Sequence, residues 1–335
     1  MPSVSVIVVN RDGAALLPDC LGSLREQTYQ DFEVILVDNG SSDDSVGVAR
    51  QHLRGLRVIA LSENAGFARA NNLGLAAARG RYVVLLNNDT RAHPDFVREL
   101  VEAAEREPGI GMVAPKILNF ADRQVIDSVG GLLLTPDGIG QGRGRGEIDQ
   151  GQYDEPAETL VPSGCAALYR KAMLDEIGGL AEEFFAYCED LDLGLRGVWA
   201  GWRTANAPRA VVWHKYSATT GRYAPTKLYL VERNHYWVAI RNFPGPWLAA
   251  LPLWSLARWA LMGYAAVAGR GRGKARGAAG MGPLLAAWWR GQLDALGLAS
   301  KIWRSRTRLR RLSDREFRER VRPFRLPISK LIFTE

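Results

Sequence analysis

Tyr82-Val83-Val84-Leu85-Leu86-Asn87-Asn88-Asp89-Thr90 runs from apolar to polar without a spacer. Its five apolar residues are too few for a helix and read as a strand buried on both faces. The polar residues follow at the carboxyl end of that strand, where ligands of open α/β sheets sit. Asp89 is a hard oxygen donor suited to holding a divalent metal against a phosphate. The same letters also fit an Asx turn leading to a helix over Pro94 to Arg106.

Working back from this stretch, Val4 to Val9, Val34 to Val37 and Leu56 to Leu61 are further short apolar runs. Each is followed by polar turn residues and then a helical pattern: Leu16 to Leu24, a helix capped by Ser42 or Asp43, and an Ala-rich helix from Glu63-Asn64-Ala65-Gly66-Phe67-Ala68-Arg69 that Gly80 ends. Strands alternating with helices over about 110 residues predict an α/β fold with a parallel, doubly wound sheet. Beyond Met112 the pattern is less regular. Val125 to Leu134, Thr159 to Tyr169 and Thr204 to Trp213 read as strands, with Pro208 keeping the last near an edge. Gly138 to Gly151, rich in Gly and Arg, reads as a mobile loop. Helices are expected from Glu189 to Trp199 and from Val231 to Ile240.

The strand ends carry a row of polar groups: Asn10, Asp38 with Asn39, Asn64 with Arg69, and Asp89. A doubly wound sheet would line them along one edge. Asp38 can accept from the imide N–H of a uracil or thymine, and Arg69 can pair bidentately with a diphosphate. Each residue singly is as well explained by turn chemistry; the conjunction is the signal. No Gly-x-Gly-x-x-Gly follows the first strand, which argues against a nicotinamide or flavin cofactor. Glu189-Asp190 sits at a helix start, where a carboxylate serves either as a cap or as a general base toward a hydroxyl. His214 closes an apolar run and is either structural or a metal or phosphate contact. The other histidines, His52, His93 and His235, have no companions at ligand spacing.

Charge is unevenly placed. Residues 1–240 carry 24 Lys+Arg against 31 Asp+Glu, while the remainder carries 19 against 5. That asymmetry points to an anionic partner for the tail. Trp247 to Ala268 is apolar apart from Arg258, whose place in mid-bilayer would cost a few kcal/mol. Gly269 to Gly277 alternates Gly with Arg and Lys, Leu284 to Trp303 is amphipathic, and Arg304 to Arg325 is strongly basic. Tryptophans beside arginines suit an interfacial helix on an anionic leaflet. A nucleic-acid arm or helices with a solvated charged face are the competing readings, and the long apolar face fits lipid better than nucleic acid. Three widely spaced cysteines, Cys20, Cys165 and Cys188, suggest a reducing cytoplasm, and the opening residues lack a basic n-region.

Asp38-Asn39-Gly40-Ser41, Glu63-Asn64-x-Gly66-Phe67, Leu86-Asn87-Asn88-Asp89-Thr90 and Glu189-Asp190, in that order, resemble the family 2 glycosyltransferases, and among them the rhamnosyltransferase-like branch. The resemblance covers about residues 3–242. It implies a GT-A fold, a domain over 1–242 (a nucleotide half to 112, an acceptor half from 113) and a separate basic, Trp-rich helical tail over 243–335. It implies inverting transfer of a sugar, L-rhamnose or another hexose, from a dTDP- or UDP-sugar to a glycan or lipid-linked acceptor. Asp38 would contact the base, with Asn10, Asn39, Asn64, Gly66, Arg69, Asn87 and Asn88 around the nucleotide. Asp89 matches the last position of the family's Asp-X-Asp motif, whose first position is here Asn87, and His214 a position that completes the shell of a Mg²⁺ or Mn²⁺ ion. Asp190 matches the catalytic base. The tail would hold the enzyme on the inner face of the plasma membrane, and nucleic acid is not among the expected partners. The rival expectations are a non-catalytic binding module at the membrane and a nucleotidyltransferase. Gly138 to Gly151 is the expected lid on the acceptor side.

Overall fold

Val6 and Ile7 are neighbours in the chain and face opposite sides of a sheet. In a computed structural model of the protein, which describes residues 1–216, 224–270, 281–306 and 310–333, both are fully buried. Val6 lies level with Val34 and Val84 on the adjoining strands and shares a core with Leu17, Leu21, Phe96 and Leu100. Ile7 takes the other face, against Gly74, where an added Cβ would stand 2.5 Å from the Ile7 Cγ2. Alternate residues thus meet helices on both faces, which is why the strands read as unbroken apolar runs. Each such side chain contributes roughly 1.5–3 kcal/mol by leaving water.

Contacts divide the chain into two compact units, Met1–Leu132 with Gly142–Thr219, and Leu133–Gln141 with Thr220–Glu335. The division falls ahead of the helix that ends at Asn242, rather than after it, and takes the short stretch 133–141 with the tail.

The first unit begins β1 (Val4–Asn10), α1 (Leu17–Arg25), β2 (Phe32–Asp38), α2 (Ser45–His52), β3 (Arg57–Ala60), α3 (Phe67–Ala77) and β4 (Tyr82–Asn87). It continues with β5 (Thr90–Ala92), α4 (Phe96–Glu105), β6 (Ile110–Asn119) and β7 (Ile126–Val129). β8 (Leu132–Leu134) and β9 (Gly140–Gly142), whose residues 133–141 count with the second unit, form a hairpin. Then come β10 (Glu158–Thr159), β11 (Ala166–Arg170), α5 (Lys171–Ile177), α6 (Glu189–Trp199) and β12 (Arg203–His214). The large sheet has the order β10-β12-β6-β11-β4-β1-β2-β3. β3, β2, β1 and β4 are parallel, as the alternation predicts.

The second half departs from that pattern. β11 runs antiparallel to both β4 and β6, so the sheet is mixed. Pro208 does not put β12 at an edge. β12 lies between β10 and β6, and Pro208 sits where its register to β6 slips between Ala207 and Val211, a bulge that needs no donor from proline. α3 ends at Ala77, before Gly80. Gly80 answers a different need, since a Cβ there would stand 2.7 Å from the backbone of Val4 and Ser5. The Gly/Arg stretch is also more tied down than a lid. Val129 N–H donates to Arg143 O, Ile126 N–H to Glu147 O and Gly146 N–H to Ile126 O, stitching residues 143–147 onto β7.

The second unit holds α7 (Pro225–Asn242), α8 (Gly245–Ala249), α9 (Leu251–Val267), α10 (Met281–Gly297), α11 (Ala299–Arg304), α12 (Asp314–Val321) and α13 (Ile328–Phe333). The Trp237 indole donates to Ala295 O at 2.9 Å, tying α7 to α10. Arg306 donates to Ile240 O and Phe243 O, placing a cation on the last carbonyls of α7. Arg258, midway along α9, faces protein. Its guanidinium forks onto Glu232 at 2.7 and 2.9 Å and also meets Asp137, all three side chains being buried. Burial opposes the Glu232 charge, but Arg258 outweighs it and holds that carboxyl well below its ordinary range. The other side of α9 is open, with Leu253, Leu256, Tyr264 and Val267 exposed, as are Leu285, Trp289, Leu293 and Leu296 of α10. Among the described residues no helix is long and apolar enough to cross a membrane. The Gly-Arg-Lys alternation at 271–277 and residues 307–309 of the basic run lie outside the described residues.

Candidate active site

Because β1, β2 and β4 are parallel, with Asn10 level with Asp38 and Asn87 level with Val9, the three strands end together on one edge. The polar side chains there bond mainly to one another. Asn88 Nδ2 donates to Asn10 Oδ1 at 2.7 Å, and Asn10 Nδ2 donates to Asp38 Oδ1 at 3.1 Å. Ser41 supplies its N–H and its hydroxyl to the Asp38 carboxylate. Gly13 is required beside this chain, because a Cβ would stand 2.3 Å from Asn10 Oδ1 and 2.4 Å from Asn88 Nδ2.

Asn39 joins β2 to the start of α3. Its Nδ2 donates to Asn64 Oδ1 at 3.0 Å and its Oδ1 accepts from Ala65 N–H at 2.8 Å, while Asn64 Oδ1 also accepts from Gly66 N–H. Gly66 has φ +86°, and a Cβ there would strike the Phe185 ring and carbonyl. Arg69 is exposed on the first turn of α3 and makes no ion pair among the described residues, leaving its guanidinium open to an anion. Asn87 engages through its backbone: its N–H donates to Cys165 O at 2.9 Å and its carbonyl accepts from the Thr90 hydroxyl.

Asp89 and His214 are brought together by β5 pairing with the end of β12, where His214 lies opposite Thr90. His214 Nε2 is 3.3 Å from Asp89 Oδ1. Both residues are buried, and Asp89 Oδ1 has no hydrogen bond of sound geometry. A buried carboxylate oxygen without a donor beside an imidazole nitrogen fits a divalent cation bound by one carboxylate, one imidazole and substrate oxygens. Among the described residues no three acidic, Cys or His side chains form a complete cage, so phosphate and water oxygens would have to fill the shell. Burial opposes the charge on His214, but Cys165, Asp127 and Asp89 outweigh it and raise its pKa well above the ordinary value.

Asp190 lies on the second turn-forming position of α6, and the backbone leading to it is strained: Phe185, Tyr187 and Cys188 have φ of +64°, +70° and +67°. The carboxylate accepts from Gly164 N–H and from Leu191 N–H, each at 2.7 Å. Gly164 suits the close approach, since a Cβ would stand 3.2 Å from the Asp190 Cβ, a tight contact. Burial pushes the Asp190 pKa up, and these backbone donors pull against it. Glu189 is pushed up to about 8 by burial and by the charge of Asp190, and among the described residues its Oε2 has no hydrogen-bond partner. Burial pushes both adjoining carboxyls up; the backbone donors of Gly164 and Leu191 favour the charged form of Asp190, and the Asp190 charge favours the neutral form of Glu189.

Ser163-Gly164-Cys165 connects the two acidic centres. Gly164 holds Asp190, whereas Cys165 contacts His214 through its thiol and Asn87 through its carbonyl. This turn was invisible as a site element in the sequence; only the glycine hinted at a close approach. Asp127 was also missed. It bonds His214 Nδ1, and the signal available was a carboxylate interrupting the apolar run Val125 to Val129.

Comparison with known proteins bears on the family and the fold. The profile of the family described as Glycosyl transferase family 2 matches residues 3–178. An N-acetylglucosaminyl-diphospho-decaprenol L-rhamnosyltransferase of Mycobacterium tuberculosis is 29% identical over 283 residues, covering 78% of this chain and 90% of that protein. Among solved structures, the mannosyltransferase PcManGT from Pyrobaculum calidifontis, in complex with GDP-Man and Mn²⁺, superimposes with TM-score 0.57 at 22% identity, covering 92% of this chain and 85% of that one. Residues 1–349 of TarS from S. aureus, in complex with UDP, give 0.51 at 21% identity, over 75% and 70% of the two chains. These neighbours share the GT-A-type α/β architecture with its mixed sheet. With a match spanning more than half of its length and every strand end from Asn10 to Asp89, the chain belongs to glycosyltransferase family 2, enzymes that transfer a sugar from a nucleotide sugar.

Proposed function

We propose that this enzyme moves L-rhamnose or another hexose from a dTDP- or UDP-sugar to a hydroxyl of a lipid-linked or polysaccharide glycan, inverting the anomeric carbon. The observation that carries the mechanism is the Ser163–Cys165 turn, with Asp190 on one flank and the Asp89–His214 pair on the other. Asp38, at the end of the Asn10–Asn88 chain, accepts from the base imide, and Arg69 pairs with the diphosphate. Asp89 and His214 would hold Mg²⁺ or Mn²⁺, which would supply positive charge to the departing diphosphate. Asp190 uses the lone pairs not taken by Gly164 and Leu191 to accept the acceptor's hydroxyl proton. The acceptor oxygen bonds to the anomeric carbon as the carbon–phosphate-oxygen bond breaks, and the nucleoside diphosphate leaves with the electron pair.

The decaprenol-linked acceptor in the name of the mycobacterial relative supports a lipid-linked acceptor here. So do the apolar stripes Leu253, Leu256, Tyr264 on α9 and Leu285, Trp289, Leu293, Leu296 on α10, which suit an anionic leaflet on the cytoplasmic side. The decisive test is a thermal-shift panel of dTDP- and UDP-sugars with and without Mn²⁺, followed by product NMR. A ligand of the folded state raises the melting temperature, by mass action. The reading requires a nucleotide sugar whose shift grows with Mn²⁺ and a product of opposite anomeric configuration. Retention of configuration, or activity indifferent to EDTA, overturns the corresponding part.

A further inference from the structure

Where β7 pairs with β6, Leu118 faces Ile126 and Ile117 faces Ser128, so Asp127 is the extra residue of a β-bulge. A bulge re-aims the side chain it inserts. Asp127 Oδ2 lies 2.8 Å from His214 Nδ1, and its Oδ1 accepts from Arg145 Nη2 at 2.7 Å. Arg145 is fixed in turn: its guanidinium stands 4.5 Å above the Tyr216 ring, and its segment is bonded along β7. Gly142 permits the close approach of that segment, because a Cβ would come 2.4 Å from Asp127 O. With Nδ1 engaged by Asp127, the imidazole presents Nε2 to Asp89 at 3.3 Å.

We propose that Asp127, buttressed by Arg145, is a positioning residue that locks the ring of His214 with Nε2 toward Asp89, forming the two-residue seat for a divalent cation before substrate arrives. This rests on the metal role of Asp89 and His214 given above. A histidine ligand whose other nitrogen is bonded to a carboxylate is fixed in orientation and made a better donor, and loss of such a partner typically weakens metal binding about 10–100-fold. The glycine and arginine residues at 142–147 then serve as a splint for the metal side of the site.

The test is Mn²⁺ binding by the full chain, followed through the paramagnetic resonance of free Mn²⁺, with the metal alone and with UDP or dTDP present. His214→Ala is the reference and must weaken Mn²⁺ binding. Asp127→Ala is expected to weaken it about 10–100-fold with the affinity for UDP or dTDP in EDTA unchanged. Asp127→Asn, which keeps an acceptor for Nδ1–H, restores most of the loss, and Arg145→Ala gives a few-fold loss; these two remain readable if Asp127→Ala does not fold. Wild-type Mn²⁺ affinity in Asp127→Ala, or in Arg145→Ala should Asp127→Ala not fold, overturns the positioning role while leaving the metal reading standing. Wild-type affinity in His214→Ala removes the metal reading, and this inference with it.

Discussion

The two units dispose of their large apolar side chains in opposite ways. In the first, Met1, Ile148 and Phe185 are the large hydrophobics left exposed among the described residues. In the second, Leu253, Trp254, Leu256, Tyr264, Val267, Leu285, Trp289, Leu293, Leu296 and Trp303 are all exposed. Buried charge differs as well: Arg258, Glu232 and Asp137 are mutually paired in the second unit, whereas in the first Asp89 and Glu189 each keep a buried carboxyl oxygen with no hydrogen bond among the described residues. A strand flanked by helices on both faces buries every residue, while a helix packed on one side presents the rest to whatever lies outside. The first unit therefore gathers polar groups at its strand ends, and the second leaves large apolar side chains exposed. Each half of that contrast can be broken separately.

The largest effect is expected from Asp190→Asn. Loss of a general base typically removes about 10²–10⁴-fold in rate, so kcat should fall within that range while donor affinity by calorimetry stays within a few-fold. A variant with wild-type kcat would leave Asp190 as a helix cap. Next, Glu232→Gln leaves Arg258 buried with half its counter-charge. Removing one partner of a buried pair costs about 3–5 kcal/mol, an upper figure here because Asp137 remains. The expected result is a lower melting temperature with little change in the transfer rate of the protein still folded. A rate loss as large as that of Asp190→Asn would place Glu232 in the chemistry and undo the division of labour.

How far these features were legible follows the same contrast. β1 and β4 were readable because burial on both faces makes Tyr82 to Leu86 wholly apolar and Val4 to Val9 apolar apart from Ser5. The span of α6 was readable because its acidic start and apolar spacing agree. The antiparallel entry of β11 was not, because Ala166 to Arg170 has the same letters whichever way its neighbours run. Pro208 misled for a related reason: a bulge excuses a missing donor as well as an edge does. Asp89, His214 and Asp190 were findable as strand-end and helix-start residues, but Asp127 and Gly164 reach them only through tertiary contacts spanning 87 and 26 residues of sequence. Arg258 looked like an obstacle to lipid contact because its partners, Asp137 and Glu232, lie elsewhere in the chain.

The exposed stripe gives a smaller effect. Trp289→Ser with Leu293→Ser removes two outward side chains that no core requires. Cosedimentation with anionic vesicles should drop about tenfold or more, given roughly 1.5–3 kcal/mol for each large apolar side chain fully buried, while the melting temperature holds. Undiminished vesicle binding would reassign the stripe. This pair is preferable to removing the tail, since α7 and α10 share a hydrogen bond between Trp237 and Ala295 that truncation would sever.

The smallest and most discriminating effect concerns Glu189. Its pKa rises from 4.5 to about 8 in the folded protein, so between those values the folded chain holds a proton that the unfolded chain has lost. Stability from this group is complete below about pH 4.5 and declines as pH rises toward 8. Glu189→Gln removes the titration while keeping a neutral side chain of the same shape. Relative to the wild type, its melting temperature should therefore climb as pH is raised from 5 to about 8, and Glu189→Ala should show the same trend displaced downward by the pH-independent cost of its cavity. Activity of Glu189→Gln near neutral pH should stay within a few-fold of the wild type, because the neutral form is already the one present beside Asp190. Should Glu189→Gln be as inactive as Asp190→Asn, the two carboxyls exchange roles: Glu189 becomes the proton acceptor, and the backbone donors of Gly164 and Leu191 serve to hold its neighbour in place.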